Sequence, residues 1–314
     1  MDVLTRTDLP NLGGKYEGKV RDVYDPGDGT LVIVSTDRHS SFDRHIADIP
    51  RKGEVLSRAS ELWFGLTVDI VPNHLIAKPD PNVMIVRKTK PLKIEAVMRG
   101  YLTGVTDTSI WTRYQNGERA FGGFTLPDGM KKDTALPAPL FDPTTKEDTH
   151  DRNLSREGFI TEGIVTAEEY DEVKRLAETL FARGQEYAKS RGLILVDTKY
   201  EFGRDEEGRI ILIDEIHTPD SSRWWFADSY AERLAQGKPP EFFDKEFLRI
   251  WFREHSDPYK DATLPEAPPE LIAEMTRRYL DIYERLSGAP LPALPPGSIV
   301  ERITASLDAY YGRA

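Results

Sequence analysis

LILVDTKYEFG (193–203), RDEEG (204–208) and RIILIDEIHTPDSSRWW (209–225) run on without a break, and their reading decides the fold. Two apolar, β-branched runs flank a charged turn containing Gly208, which predicts two antiparallel strands. Alternation of period two sets Asp197, Lys199 and Glu201 on one strand face, with Val196, Thr198 and Tyr200 on the other. A turn at Glu207–Gly208 would pair Glu201 with Asp214, side by side, with Lys199 one step behind. Neighbouring carboxylates repel, and a hard cation such as Mg²⁺ relieves the repulsion. The second strand is too apolar to lie open to water, so a metal site is expected here rather than a solvated surface hairpin.

Towards the N-terminus, Gly13–Lys19 fits G-x-x-x-x-G-K, the opening of a phosphate-binding loop. Val20 then stands where the metal-binding hydroxyl belongs, and the following residues alternate like a strand instead of opening a helix. The expectation is a Gly-bearing hairpin with Lys19 and Arg21 on one face, a flap closing over a nucleotide. The turn PGDG (26–29) leads to a strand at Leu31–Ser35. Ser35–Phe42 is too polar for a core, and a turn at 50–53 precedes a helix over Glu54–Phe64. His39 and His45 match no metal-ligand spacing. Buried strands are predicted at Val83–Arg87 and Ile94–Arg99, joined by a basic linker, and Arg99 beside Gly100 is an anion-binding candidate.

Towards the C-terminus, Phe121–Gly158 is rich in Gly, Pro, Thr and Asp, and PTTKEDTHD (143–151) offers hydroxyls, Lys146 and acids to a cleft. Thr166 and Glu169 make a capping box for a helix over 167–191 with one apolar stripe, Tyr170, Val173, Leu176, Ala177, Leu180 and Phe181. Further helices are expected at Glu246–Trp251, Leu271–Leu286 and Ile299–Tyr311, with the stiff connector PLPALPPG (290–297) before the last.

A chain of 314 residues can hold two domains or subdomains. A net charge of -11 argues against general nucleic-acid binding and leaves small anionic substrates open. The absence of cysteine excludes disulfides, thiolate catalysis and Cys-ligated zinc. No apolar run reaches membrane-spanning length and MDVLTRTDLP has no signal core, so a cytoplasmic protein without a membrane partner is expected. A basic flap, paired carboxylates, a lysine and anion-binding arginines together suit γ-phosphoryl transfer, with the acceptor left open.

Six segments resemble, in order, the SAICAR synthetase family: GKVRDVYD (18–25), STDRHSSFD (35–43), IPRKGEVLSRASELWF (49–64), VMRGYLTG (97–104), LVDTKYEFG (195–203) and LIDEIHTPDSSRWW (212–225). The longer C-terminal part is similar to the long, yeast-like form. The resemblance implies a ligase of purine biosynthesis that joins the carboxylate of CAIR, a carboxylated aminoimidazole ribonucleotide, to the amine of L-aspartate while cleaving ATP. It implies an α/β (α+β), ATP-grasp-like fold with a small antiparallel subdomain over a larger one and ATP between. Expected divisions are 1–95 for the flap subdomain, 96–240 for the central domain and 241–314 for a helical extension, in a monomer or small homo-oligomer.

By match to the family motifs, Lys19 and Arg21 would hold ATP phosphates, and Glu201 and Asp214 would hold Mg²⁺. Lys199 would neutralise the transferring phosphoryl group, completing a catalytic set with Glu201 and Asp214. Arg99, Asp220, Ser222 and Arg223 would bind CAIR, the two arginines being suited to bidentate phosphate contact. Asp37, Arg38 and Ser41 match a loop that would face substrate. The serine of the family's GYLTGS motif is displaced by what looks like a four-residue insertion, leaving Ser109 as the substrate-binding candidate. His39 and His217 stand where apolar residues are expected, and a packing role is assigned to His217. A small-molecule kinase with the same ATP apparatus is the alternative reading.

Overall fold

The computed structural model describes residues 2–42, 44–106, 108–122, 124–147, 151–243, 246–294 and 297–313. Its first part runs β1 (Gly14–Glu17), β2 (Arg21–Asp25), β3 (Thr30–Ser35), β4 (Arg38–Ser41), β5 (Arg44–Asp48), α1 (Lys52–Thr67), β6 (Leu75–Asp80) and β7 (Val83–Arg87). The middle part continues with β8 (Lys90–Tyr101), α2 (Ile110–Gln115), β9 (Ala120–Phe121), β10 (Phe124–Thr125), β11 (Ala135–Phe141), β12 (Thr144–Thr145), α3 (Arg156–Thr161) and α4 (Ala167–Ser190). β13 (Leu193–Arg204), β14 (Ile210–Ile213) and β15 (Ser222–Phe226) follow, then α5 (Ala227–Ala235), α6 (Glu246–His255), α7 (Pro269–Ser287) and α8 (Ile299–Tyr311).

This is a mixed α/β architecture whose strand ladders are antiparallel. One sheet has the order β1-β2-β3-β7-β6; a second has β11-β8-β13-β14, with β12 also on β8 and β15 also on β13. The centre of the first sheet is covered on both faces, so β3 and β7 carry continuous apolar runs, Leu31–Val34 and Val83–Val86. Val32, Val34, Val83 and Ile85 point to Ile303 and Leu307 of α8, while Ile33, Met84 and Val86 point the other way, into the main core. That core joins the sheets through Trp63 and Phe64 of α1 and the stripe of α4, all six predicted residues of which are buried. The capping box is present as read: Thr166 Oγ1 accepts from the Glu169 amide at 3.2 Å, and Glu169 accepts from the Thr166 amide at 2.8 Å.

Several expectations are corrected. Ser35–Phe42 is core after all: Ser35, Thr36, Asp37 and His39 are no more than 2% exposed. Several of its polar groups are satisfied by backbone and by Asp22. Asp37 accepts from the amides of Leu4 (2.8 Å) and Gly53 (2.9 Å), and Arg38 donates to the carbonyl of Gly18 and to Asp22, both at 2.9 Å. The basic linker before β8 shrinks to Lys88 and Thr89, because β8 starts at Lys90. The division expected at 95/96 therefore falls inside a strand, and β8 belongs wholly to the second sheet. Of the motifs read above, Asp43, residues 148–150 and residues 295–296 lie outside the described residues.

Candidate active site

The hairpin of β13 and β14 forms, but one residue out of the expected register: Glu201 faces Ile213, not Asp214. The loop between them is Asp205–Arg209, held by the Asp205 carboxylate, which accepts from the amides of Glu207 (3.1 Å) and Arg209 (2.9 Å). An odd loop length in place of the expected two-residue turn shifts the pairing by one. Asp214 instead lies just past the strand end with φ 68, a left-handed backbone that Asp tolerates better than most residues.

That turn does what the pairing was expected to do. Nζ of Lys199 lies 2.5 Å from Glu201, 3.2 Å from Glu95 and 3.7 Å from Asp214. Arg21, from the flap, reaches Asp214 at 2.5 Å and Glu215 at 3.8 Å, and Lys146 pairs with the second oxygen of Glu201. Burial alone would lower the pKa of Lys199, but Glu201, Asp214 and Glu95 reverse this and hold it above its ordinary value. Burial pushes Asp214 up, yet Arg21 and then Lys199 keep it well below the usual carboxylate range. Glu95 and Glu215 go the other way, raised chiefly by burial and further by neighbouring acids.

Four carboxylates (Glu95, Glu201, Asp214, Glu215) thus meet three cations (Arg21, Lys146, Lys199). The surplus acid makes room for a further positive charge, and the donors are hard oxygens, which suit Mg²⁺. Among the described residues no group of three His, Cys, Asp or Glu is arranged to hold a metal alone. A cation here would need ligands from a substrate as well, the usual habit of Mg²⁺ beside phosphates.

A second group lies two residues along the same strand, roughly 7 Å away. Asp197 on β13 faces Arg99 on β8 and Arg223 on β15, so one cross-strand row reads arginine, aspartate, arginine. Arg223 pairs with Asp197, while Arg99 donates to Asp142 at 2.7 Å. Arg113 reaches the same Asp142 at 2.8 Å. Ser222 and Thr198 share a hydroxyl bond of 2.7 Å in the next row. Ser109 returns beside Gly104, where an added Cβ would collide with the serine's own, and Arg99 donates to the neighbouring Thr108 carbonyl at 3.1 Å. The insertion after Gly104 therefore brings Ser109 back to the arginine row.

Between the two groups the chain leaves the sheet. β14 ends opposite Glu201 and β15 resumes opposite Thr198, so Asp214–Ser221 is an excursion where only Lys199 and Tyr200 stand across from it. Asp220 sits in it, 2.7 Å from Lys52 and 2.6 Å from the Tyr279 hydroxyl.

The remaining expected residues lie around these groups. Lys19 is exposed in the turn between β1 and β2, so Gly13–Lys19 forms the expected hairpin and does not open a helix. Asp37 and Arg38 are buried in the frame under that flap, and Ser41 is buried on β4. His217 is packed edge-on against Trp63 and bonds Tyr200 at 2.5 Å, consistent with packing. Glu95, Asp142, Arg113, Lys52 and Tyr279 were not singled out. Glu95 was findable, since period two on β8 puts it on the face of Arg99, opposite Ile94, Ala96 and Met98. The other four depend on contacts distant in sequence. A cavity of about 350 Å³ lined by Phe226, Arg233, Phe242 and Arg278 shares no residue with this site.

Ranked cations and carboxylates beside a two-arginine row suit an enzyme that handles small, phosphorylated anions. The family model for SAICAR synthetase matches residues 14–265. A phosphoribosylaminoimidazole-succinocarboxamide synthase of Legionella pneumophila (strain Paris) is 53% identical over 310 residues, which is 98% of this chain and 99% of that one. A chloroplastic synthase of the same name from Arabidopsis thaliana is 50% identical over 287 residues, 91% of this chain and 70% of its own. The structure of SAICAR-synthase from Saccharomyces cerevisiae, complexed with SAICAR, superposes with a TM-score of 0.79 at 32% identity, covering 92% of this chain and 100% of that chain. The chain belongs to the SAICAR synthetase family.

Proposed function

We propose that the chain joins the carboxylate of CAIR to the amine of L-aspartate, with ATP cleaved to ADP and phosphate, as a ligase of purine biosynthesis. Family membership supports the reaction, and one observation supports its placement: the Arg99–Asp197–Arg223 row and the Lys199–Glu201–Asp214 group stand two residues apart on β13. The nucleotide lies in an ATP-grasp-like cleft between the flap sheet and the larger sheet, its phosphates facing Lys19 and Arg21.

A carboxylate is a poor acyl donor because its oxygen leaves badly. Its oxygen attacks the γ-phosphorus of ATP, the bond to the β-phosphate oxygen breaks, and ADP departs. The aspartate nitrogen then attacks the acyl carbon of the resulting acyl phosphate, inorganic phosphate carries the electron pair away, and the amine loses a proton. No protein nucleophile is required. Lys199 balances charge on the transferring group, and Arg99 and Arg223 hold the phosphate of CAIR, with Ser109, Ser222 and Asp220 ordering its surroundings. Glu201 and Asp214 would hold Mg²⁺, which would supply charge neutralisation for the phosphoryl transfer. Asp37 and Arg38 act at one remove, Arg38 by holding Gly18 and Asp22 at the base of the flap and Asp37 by holding Leu4 and Gly53 beside it.

ADP release is measured with Mg²⁺, ATP and CAIR, with and without L-aspartate, while product absorbance is followed. Release matched to product and dependent on both partners is expected. Steady aspartate-independent release would instead mark the kinase alternative, which family membership does not favour.

A further inference from the structure

Helix α7, the second last of the chain, carries a polar group to the buried side of the Asp214–Ser221 excursion. Its buried stripe holds Met275, Ile282 and Leu286, the kind of face that packs a helix onto a core. Tyr279 belongs to that stripe and is 2% exposed, yet its hydroxyl donates to Oδ1 of Asp220 at 2.6 Å. The other oxygen of that carboxylate lies 2.7 Å from Nζ of Lys52, which is fully buried at the start of α1. A buried ammonium and a buried phenol each need a partner, and here both use one carboxylate. Nδ1 of the buried His39 lies 3.5 Å from the same hydroxyl.

Within the excursion, Thr218 Oγ1 accepts from the amides of Asp220 (3.2 Å) and Ser221 (3.1 Å) and donates to Glu215 at 2.6 Å. These local bonds shape the loop, whereas Lys52 and Tyr279 tie it to α1 and α7. A carboxylate has about four acceptor positions, so Asp220 can hold both ties and still face a ligand.

We infer that Tyr279 is a positioning residue for the ligase reaction: through Asp220 it sets the loop that delivers Ser222 and Arg223 to substrate. The C-terminal extension thereby takes part in binding CAIR. The inference rests on the substrate reading of Asp220, Ser222 and Arg223 given above.

Tyr279→Phe removes the hydroxyl and leaves the ring in the core. The KM for CAIR should rise roughly tenfold, the worth of one hydrogen bond to a charged group, with the KM for ATP within about twofold and the melting temperature near wild type. In an Asp220→Ala background, which removes the acceptor, the Tyr279→Phe effect should vanish, because the two act as one unit. An unchanged KM for CAIR, a parallel rise for ATP, or full additivity with Asp220→Ala overturns the inference. Arg223→Ala in the same assay separates the two readings. If it raises the KM for CAIR while Tyr279→Phe does not, the substrate reading stands and the role of Tyr279 falls. If Arg223→Ala spares CAIR, the substrate reading falls and takes this inference with it.

Discussion

Asp214 concentrates the chemistry of the site in one backbone turn. Its φ of 68 swings the carboxylate off the strand and between Arg21 and Lys199. Replacement by alanine would mix loss of charge with strain, since a left-handed conformation is costly for most side chains. Asn accepts that conformation, so Asp214→Asn removes the charge alone. Turnover should fall by at least about 100-fold, with little change in melting temperature; steady-state ADP release and a thermal scan check it. Wild-type-like turnover in that variant would remove Asp214 from the proposed metal site.

Among the elements, β14 and β15 act as one strand interrupted to make a site. Both lie along the same edge of β13, and the chain departs at Asp214 and returns at Ser222. The rigid part is the sheet beneath, and α4 backs it with a continuous buried stripe. The capping box of α4 touches no site residue. Thr166→Ala should therefore cost about 1 kcal/mol of stability and leave turnover unchanged, read as a lower urea midpoint beside unaltered kinetics. A loss of activity at equal stability would mean that α4 communicates with the cleft.

Across the whole molecule, two buried histidines tie stability to pH. Burial lowers His74 to about 4, with Arg21 adding to it against Asp214, and burial lowers His217 to about 3. Unfolded histidine titrates near 6.5, so between that value and the folded ones the unfolded chain binds more protons. Stability is complete above about pH 6.5 and is lost as pH falls towards 4, by on the order of a few kcal/mol. Glu95 and Glu215, with raised values, act in the opposite sense over part of the acid range. Comparison with His217→Gln isolates the histidine: urea midpoints measured from pH 7 to 4 should fall less steeply in the variant. Parallel slopes would show that His217 does not carry the effect.

Local patterns determined much of this protein. Apolar runs located β7 and β8, period two located β13, period 3.6 with a capping box placed α4 within a residue of its ends, and ordered motifs identified the family. These signals were legible because each depends on neighbours a few positions apart. The register of the central hairpin was not, because a five-residue loop held by Asp205, in place of an even-numbered turn, shifts it by one. The burial of Ser35–Phe42 was hidden for a related reason: Asp37 and Arg38 find their partners at Leu4, Gly18 and Gly53, in other parts of the chain. Tertiary structure also decided that Lys52, Asp220 and Tyr279 meet. In sequence, Tyr279 reads as one more core residue, and only packing of α7 against the excursion between β14 and β15 gives its hydroxyl an acceptor.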